Sequence, residues 1–300
     1  MKYDDEYKIL ENQIKLALSL FVRGFNRASK LKIKAKNVFI FGIGASWLAA
    51  KAFIDLFSNS LKRPVFLSNT YVNSITKNDL AIFISYSGKT KEILGIYRKV
   101  KKKTKNIIFV TSNYKIKEKT LLVDVGLLSR TAMPFMLGCL VGLFKDDIGL
   151  TKKEVMGVLS LAKHITKIKN EARFIADYIW RNYYKKIIFL SDIEALALRL
   201  KNQINENAKL TLQVAYFPEA YHNEIEANHD ALIIYAKKTK RVEKFIKLSK
   251  SDLIFVDAKE KNLLSFFYGL LLVDYISLYL SMHNKVNPIE TNKINEIKKI

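Results

Sequence analysis

The chain has 300 residues, 49% apolar and 26% charged, enough to bury a core as two ordinary domains or one large α/β domain. Its 51 Lys and Arg against 28 Asp and Glu give a net charge of +23, which attracts polyanions; the excess is mostly lysine on outer faces, so nucleic-acid binding is expected to be weak and non-specific. A single cysteine, Cys139, excludes an internal disulfide and a thiolate metal cluster, and it fits a reducing, cytoplasmic setting.

In chain order, residues 4–27 read as one amphipathic helix behind a charged N-terminus that lacks an apolar signal segment. Short apolar runs at 37–41, 64–67, 80–85, 107–111 and 121–125 then alternate with helical patterns. That alternation predicts βαβ units, hence a parallel sheet with helices on both faces. Thr151 with Glu154 three residues later forms a capping box and opens the second half. There, strands are predicted at 186–190, 212–217, 231–235 and 253–256, and helices at 194–207, 242–248 and 261–282. Residues 263–282 match a membrane span in length but carry Asp274 near the centre, so they read as a buried helix and no membrane is implied. The fold expected is α/β, two doubly wound parallel sheets tightly packed, as domains 1–150 and 151–300.

Ligands of such sheets bind beyond the carboxyl ends of the strands, and the suggestive residues fall there. SYSGKT (85–90) offers Ser85, Ser87 and Thr90 hydroxyls and free amides ahead of a helix, an arrangement suited to phosphate; a plain capping turn is the alternative. GIGAS (42–46), with Gly44 and Ser46, lacks the third glycine of a dinucleotide fingerprint. No acidic residue ends the next strand, so a nicotinamide cofactor is disfavoured and close approach to a sugar or phosphate fits better. Arg130, beside an apolar strand, needs an anionic partner. Glu206 near a helix end and His222 in a Pro-broken loop form an acid/base pair able to move protons between carbon and oxygen; a frayed, solvated Glu206 is the plain alternative. Of the other histidines, His164 and His229 read as surface residues and His283 as a helix cap. Glu219, His222 and Glu224 are too sparse for a convincing metal site, so no metal is expected.

Together QINENAK (203–209), PEAYHNE (218–224), SYSGKT, GIGAS, the Arg130-Thr131-Ala132 segment and the tail VNPIETNKINEIK resemble the archaeal-type bifunctional phosphoglucose/phosphomannose isomerases, built from two SIS (sugar isomerase) domains. The resemblance covers the whole chain. It implies that Ser85, Ser87 and Thr90 hold a hexose 6-phosphate, and that Glu206 shuttles a proton between C1 and C2 through a cis-enediol(ate). Arg130 would stabilise the developing charge, while His222 and Lys298 would serve ring opening. Thr291 would leave room for the open-chain intermediate to turn. The resemblance also implies no cofactor and a homodimer in which His222 reaches the partner's site. Ala45, Lys89 and Ser129 depart from the family pattern and bear on sugar preference. A non-catalytic sugar-phosphate sensor and an isomerase of another phosphosugar remain alternatives.

Overall fold

Continuous apolar runs such as VFIFG must be covered on both faces, which parallel strands achieve through their crossover helices. The computed structural model describes residues 2–183, 187–227, 231–249, 252–257 and 262–298; Lys186, His229 and Lys261 fall outside them. The chain divides into two compact units, one of Leu16–Gly157 and one of Met1–Lys15 with Val158–Ile300. This differs from a cut after residue 150. The expected first helix is two, α1 (Asp4–Lys15) and α2 (Ala17–Ala28). They break at Leu16 because Tyr7, Leu10 and Ile14 serve one core while Phe21, Val22 and Phe25 serve the other.

In the unit Leu16–Gly157, strands β1 (Val38–Gly42), β2 (Val65–Ser68), β3 (Leu80–Ile84), β4 (Ile107–Thr111) and β5 (Lys119–Leu122) form one parallel sheet in the order β2-β1-β3-β4-β5. Every residue of β1, β3 and β4 is buried. Phe41, Phe83 and Phe109 are register neighbours whose rings stack at 5.0 and 5.1 Å across the three central strands. The last strand ends at Leu122 rather than 125, since its partner β4 runs out at Thr111; Val125 is 76% exposed. The helices are α3 (Ala45–Phe57), α4 (Lys91–Val100), α5 (Met133–Leu143), α6 (Lys145–Ile148) and α7 (Lys152–Gly157). Helices α2 and α5 touch backbone to backbone: a methyl on Gly24 would overlap the Phe135 carbonyl, and one on Gly138 the Phe21 carbonyl. Cys139 lies in this contact, fully buried, and burial pushes its thiol well above the usual range. The capping box ahead of α7 forms as read, with Glu154 N–H donating to Thr151 Oγ1 at 3.2 Å and Thr151 N–H donating to Glu154 Oε2 at 2.8 Å.

In the other unit, β6 (Ile187–Ser191), β7 (Gln213–Tyr216), β8 (Ala231–Ala236) and β9 (Asp252–Asp257) pair in parallel in the order β7-β6-β8-β9. They alternate with α8 (Ile165–Arg181), α9 (Glu194–Gln203), α10 (Lys240–Ser249), α11 (Leu263–His283) and α12 (Asn292–Ile297). Helix α11 is long and apolar enough to cross a membrane by composition, yet 83% of its most apolar window is buried. Asp274, at its middle, accepts two hydrogen bonds from Arg199, from Nε at 2.8 Å and Nη2 at 2.9 Å, and a third from Gln203 Nε2 at 2.9 Å. The N-terminal α1 docks here through Glu11–Lys169 (2.8 Å) and the Tyr7 hydroxyl, which donates to the Ser281 carbonyl. His283 ends α11, 2.6 Å from Asp177 and stacked on Trp180.

Candidate active site

In the first unit the strand order reverses between β1 and β3, so the crevice for a ligand opens at their carboxyl ends. Gly42 registers with Ile84, which sets residues 43–46 beside the loop 85–90. Ser85 is buried, and its Oγ lies 3.1 Å from Thr90 Oγ1; Ser87 Oγ accepts the Lys89 N–H at 3.2 Å. Gly88 closes the turn at φ +60°, donating to the Ser85 carbonyl, and a side chain there would collide with Thr111 and Asn113. Thr90 is the N-cap residue of α4, and its carbonyl accepts the Leu94 amide. The leading amides of α4 have no helical acceptors, an arrangement suited to an anion.

Sequence reading passes over Tyr86, which locks this loop. Its carbonyl accepts from Ser112 N–H (2.8 Å), Ser112 Oγ (2.7 Å) and Thr111 Oγ1 (3.2 Å). Its hydroxyl accepts the Leu127 N–H at 3.0 Å and donates to the Asp124 carbonyl at 3.3 Å. Burial, more than the nearby Asp124 charge, holds the Tyr86 phenol above its ordinary range. Leu127 immediately precedes the turn, opened by the Leu128 carbonyl, that carries Arg130, so Tyr86 ties the hydroxyl loop to the segment of the buried guanidinium. Gly44 takes φ +61° at the start of α3 with open space around it. Ser46 is buried, its Oγ 3.6 Å from Met136 Sδ, so its hydroxyl faces α5.

In the second unit, α9 does not continue to residue 207. Residues Ile204–Ala208 form a π-helical turn that carries Glu206, a conformation often found at functional sites. The turn is pinned from beneath. Asn207 Nδ2 donates to Ser277 Oγ (2.9 Å), Asn284 Nδ2 to the Ala208 carbonyl (2.8 Å), and the Arg199–Asp274–Gln203 group lies one turn back. Lys209 follows at φ 57°, and its Nζ donates to the carbonyls of both Glu206 and Glu290 at 2.5 Å. That clamp sets Glu206 and Thr291 on the wall of one cavity of about 550 Å³, with Asn205, Thr211 and Asn292. Neither His222 nor Lys298 lines it. His222 is exposed just past the cis Phe217–Pro218 peptide, and Lys298 is exposed as the C-cap residue of α12. Glu219, His222 and Glu224 do not converge as metal ligands; among the described residues no group of three His, Cys, Asp or Glu does.

Two family profiles match the chain: a SIS domain over residues 33–117, and the bacterial phospho-glucose isomerase C-terminal SIS domain over residues 168–300. A bifunctional phosphoglucose/phosphomannose isomerase of Thermoplasma volcanium is 27% identical, covering 100% of this chain and 99% of its own length. Its counterpart in Thermoplasma acidophilum is 26% identical, covering 100% and 97%. Among solved structures, a glucosamine-6-phosphate deaminase from Thermotoga maritima shares the fold, with a TM-score of 0.70 at 14% identity over 96% of this chain and 97% of that one. The chain thus carries two SIS profiles and is similar from end to end to bifunctional phosphoglucose/phosphomannose isomerases.

Proposed function

We propose that the protein is a sugar-phosphate isomerase that interconverts glucose 6-phosphate and mannose 6-phosphate with fructose 6-phosphate. The observation that carries this reading is Glu206, held on a pinned π turn at the wall of a cavity of about 550 Å³ with Thr291, in a chain that matches such enzymes over its whole length. That volume lies within the usual range for small-molecule sites.

The chemistry follows from the substrate. A hydrogen on carbon next to a carbonyl is acidic enough for a carboxylate to remove when the enediolate is stabilised. Glu206 takes the proton from C2 of the open-chain aldose and returns it to C1, giving the ketose. Arg130 offsets the negative charge that develops on the enediolate oxygens. Ser85, Ser87, Thr90 and the first amides of α4 bind the phosphate. Gly44 lets the backbone come close to the sugar, and Ser46 supports that turn from α3. His222 and Lys298 exchange protons with the ring and anomeric oxygens during ring opening. No cofactor takes part in these steps. An exposed His222, away from the Glu206 cavity, is what a histidine offered to the partner copy of a homodimer requires.

The test is NMR of each hexose 6-phosphate in D₂O with purified protein and a metal chelator. Deuterium should enter at C2 of both epimers as fructose 6-phosphate accumulates. Glu206→Gln should lower turnover by about 10²–10⁴-fold, the usual contribution of an acid/base group. Full activity in that variant would dispose of the role given to Glu206. Tight phosphosugar binding without exchange at C2 would favour a sensor.

A further inference from the structure

The charge of this chain is not evenly spread. Residues 16–157 carry 25 basic and 8 acidic side chains, net +17, whereas the remaining residues carry 26 and 20, net +6. A compositional preference for lysine would load both units alike. The topology then concentrates the excess further. Because β1 to β5 are parallel, the segments that lead into them gather along one edge of the sheet, the amino edge, opposite the hydroxyl loop.

Lysines crowd those entry segments. Lys32, Lys34 and Lys36 precede β1, and Lys102, Lys103 and Lys105 precede β4; all six are exposed. The first three alternate with the half-buried Ile33 and the buried Ala35, and Arg63 Nη1 bonds the carbonyls of both Ile33 (3.3 Å) and Ala35 (2.6 Å). Both carbonyls face one donor, so Arg63 holds this backbone from one side while Lys32, Lys34 and Lys36 stay exposed. The acidic groups nearby are largely consumed: Asp79 is buried under bonds from Thr76 and Asn37, Asp147 pairs with Arg63 at 2.9 Å, and Glu118 pairs with Lys101 at 2.9 Å. Asp146 is the exposed exception.

We infer that this amino edge is a docking surface for the sugar–phosphate backbone of a single-stranded nucleic acid. Three exposed lysines within five residues offer a dense run of cations to the strand's phosphates, and a second exposed lysine group on the same edge lengthens the track. Recognition is of the backbone and independent of base sequence.

The experiment is fluorescence anisotropy of a labelled single-stranded RNA of mixed sequence titrated with the full chain over a range of salt. Replacing Lys32, Lys34 and Lys36 together by Gln should weaken binding about a hundredfold at about 0.1 M salt and reduce the slope of log affinity against log salt by about 2. Lys102→Gln, Lys103→Gln and Lys105→Gln together should act in the same direction. The matched triple Lys240→Gln, Lys244→Gln and Lys247→Gln on α10 removes as much charge from the other unit and should change affinity by less than about threefold. Isomerase turnover should be unchanged in all three. Equal losses from the α10 triple, no RNA binding by the parent chain, or binding of phosphatidylserine vesicles at least as tight as RNA would each overturn the inference.

Discussion

Asp274→Ala removes the carboxylate around which the second unit is organised. Arg199 is 1% exposed and Asp274 2%, and they meet through two hydrogen bonds of 2.8 and 2.9 Å. Both have already lost their hydration, so the variant leaves a buried guanidinium without its counter-ion. Gln203 loses its acceptor as well. Breaking a buried pair from one side costs about 3–5 kcal/mol. With a urea slope of about 2 kcal/mol per molar, the unfolding midpoint should fall by about 1.5–2.5 M. The sequence supplies a convenient reporter: its two tryptophans are Trp47 in the first unit and Trp180 in the second, so Trp180 fluorescence in a Trp47→Phe background follows the unit that holds the pair. Pairing the change with Arg199→Met, as Asp274→Leu/Arg199→Met, should restore most of the loss, because well-packed apolar groups replace such pairs at little cost. A loss below about 1 kcal/mol for Asp274→Ala, or a double variant no more stable than the single one, would refute the account.

Three further perturbations test other parts of the structure. Gly138→Ala should destabilise the first unit by about 1–3 kcal/mol, since the methyl would meet backbone that cannot yield, while Gly95→Ala on α4, with open space around it, should stabilise by about 0.4–1 kcal/mol; thermal melts of both variants check this. Tyr86→Phe strips the acceptor from the Leu127 amide and should cost about 1–2 kcal/mol, read by Trp47 fluorescence in a Trp180→Phe background, with loss of kcat/KM as the Arg130 turn loosens. Asp79 is held below the ordinary carboxylate range: burial alone would raise it, but hydrogen bonds from the Thr76 side chain and backbone and from Asn37 prevail. A depressed folded-state value means that this stabilisation is full at neutral pH and disappears as pH falls below the usual Asp value of about 3.9. Parent and Asp79→Asn stabilities, compared by urea titration from neutral to acid pH, should therefore converge at the acid end; a constant gap between them would refute it.

What the chain states locally, it states plainly. Buried parallel strands show as unbroken apolar runs because both their faces are covered, and the Thr151–Glu154 box and the hydroxyl-rich turn after β3 are readable because each is made within a few residues. The motifs around Glu206 and Thr291 could be found in the same way. That they share a cavity could not, because the link is made by Lys209 reaching Glu290 across 81 residues of sequence. The same limit applies to the apparent single helix at the N-terminus. Its apolar stripe is continuous through Leu16, and only packing assigns its two halves to different cores. The π turn, the Tyr86 link and the Arg199–Asp274 pair are likewise decided by partners distant in sequence. Periodicity records which face of a segment is buried, and the tertiary structure alone decides against what.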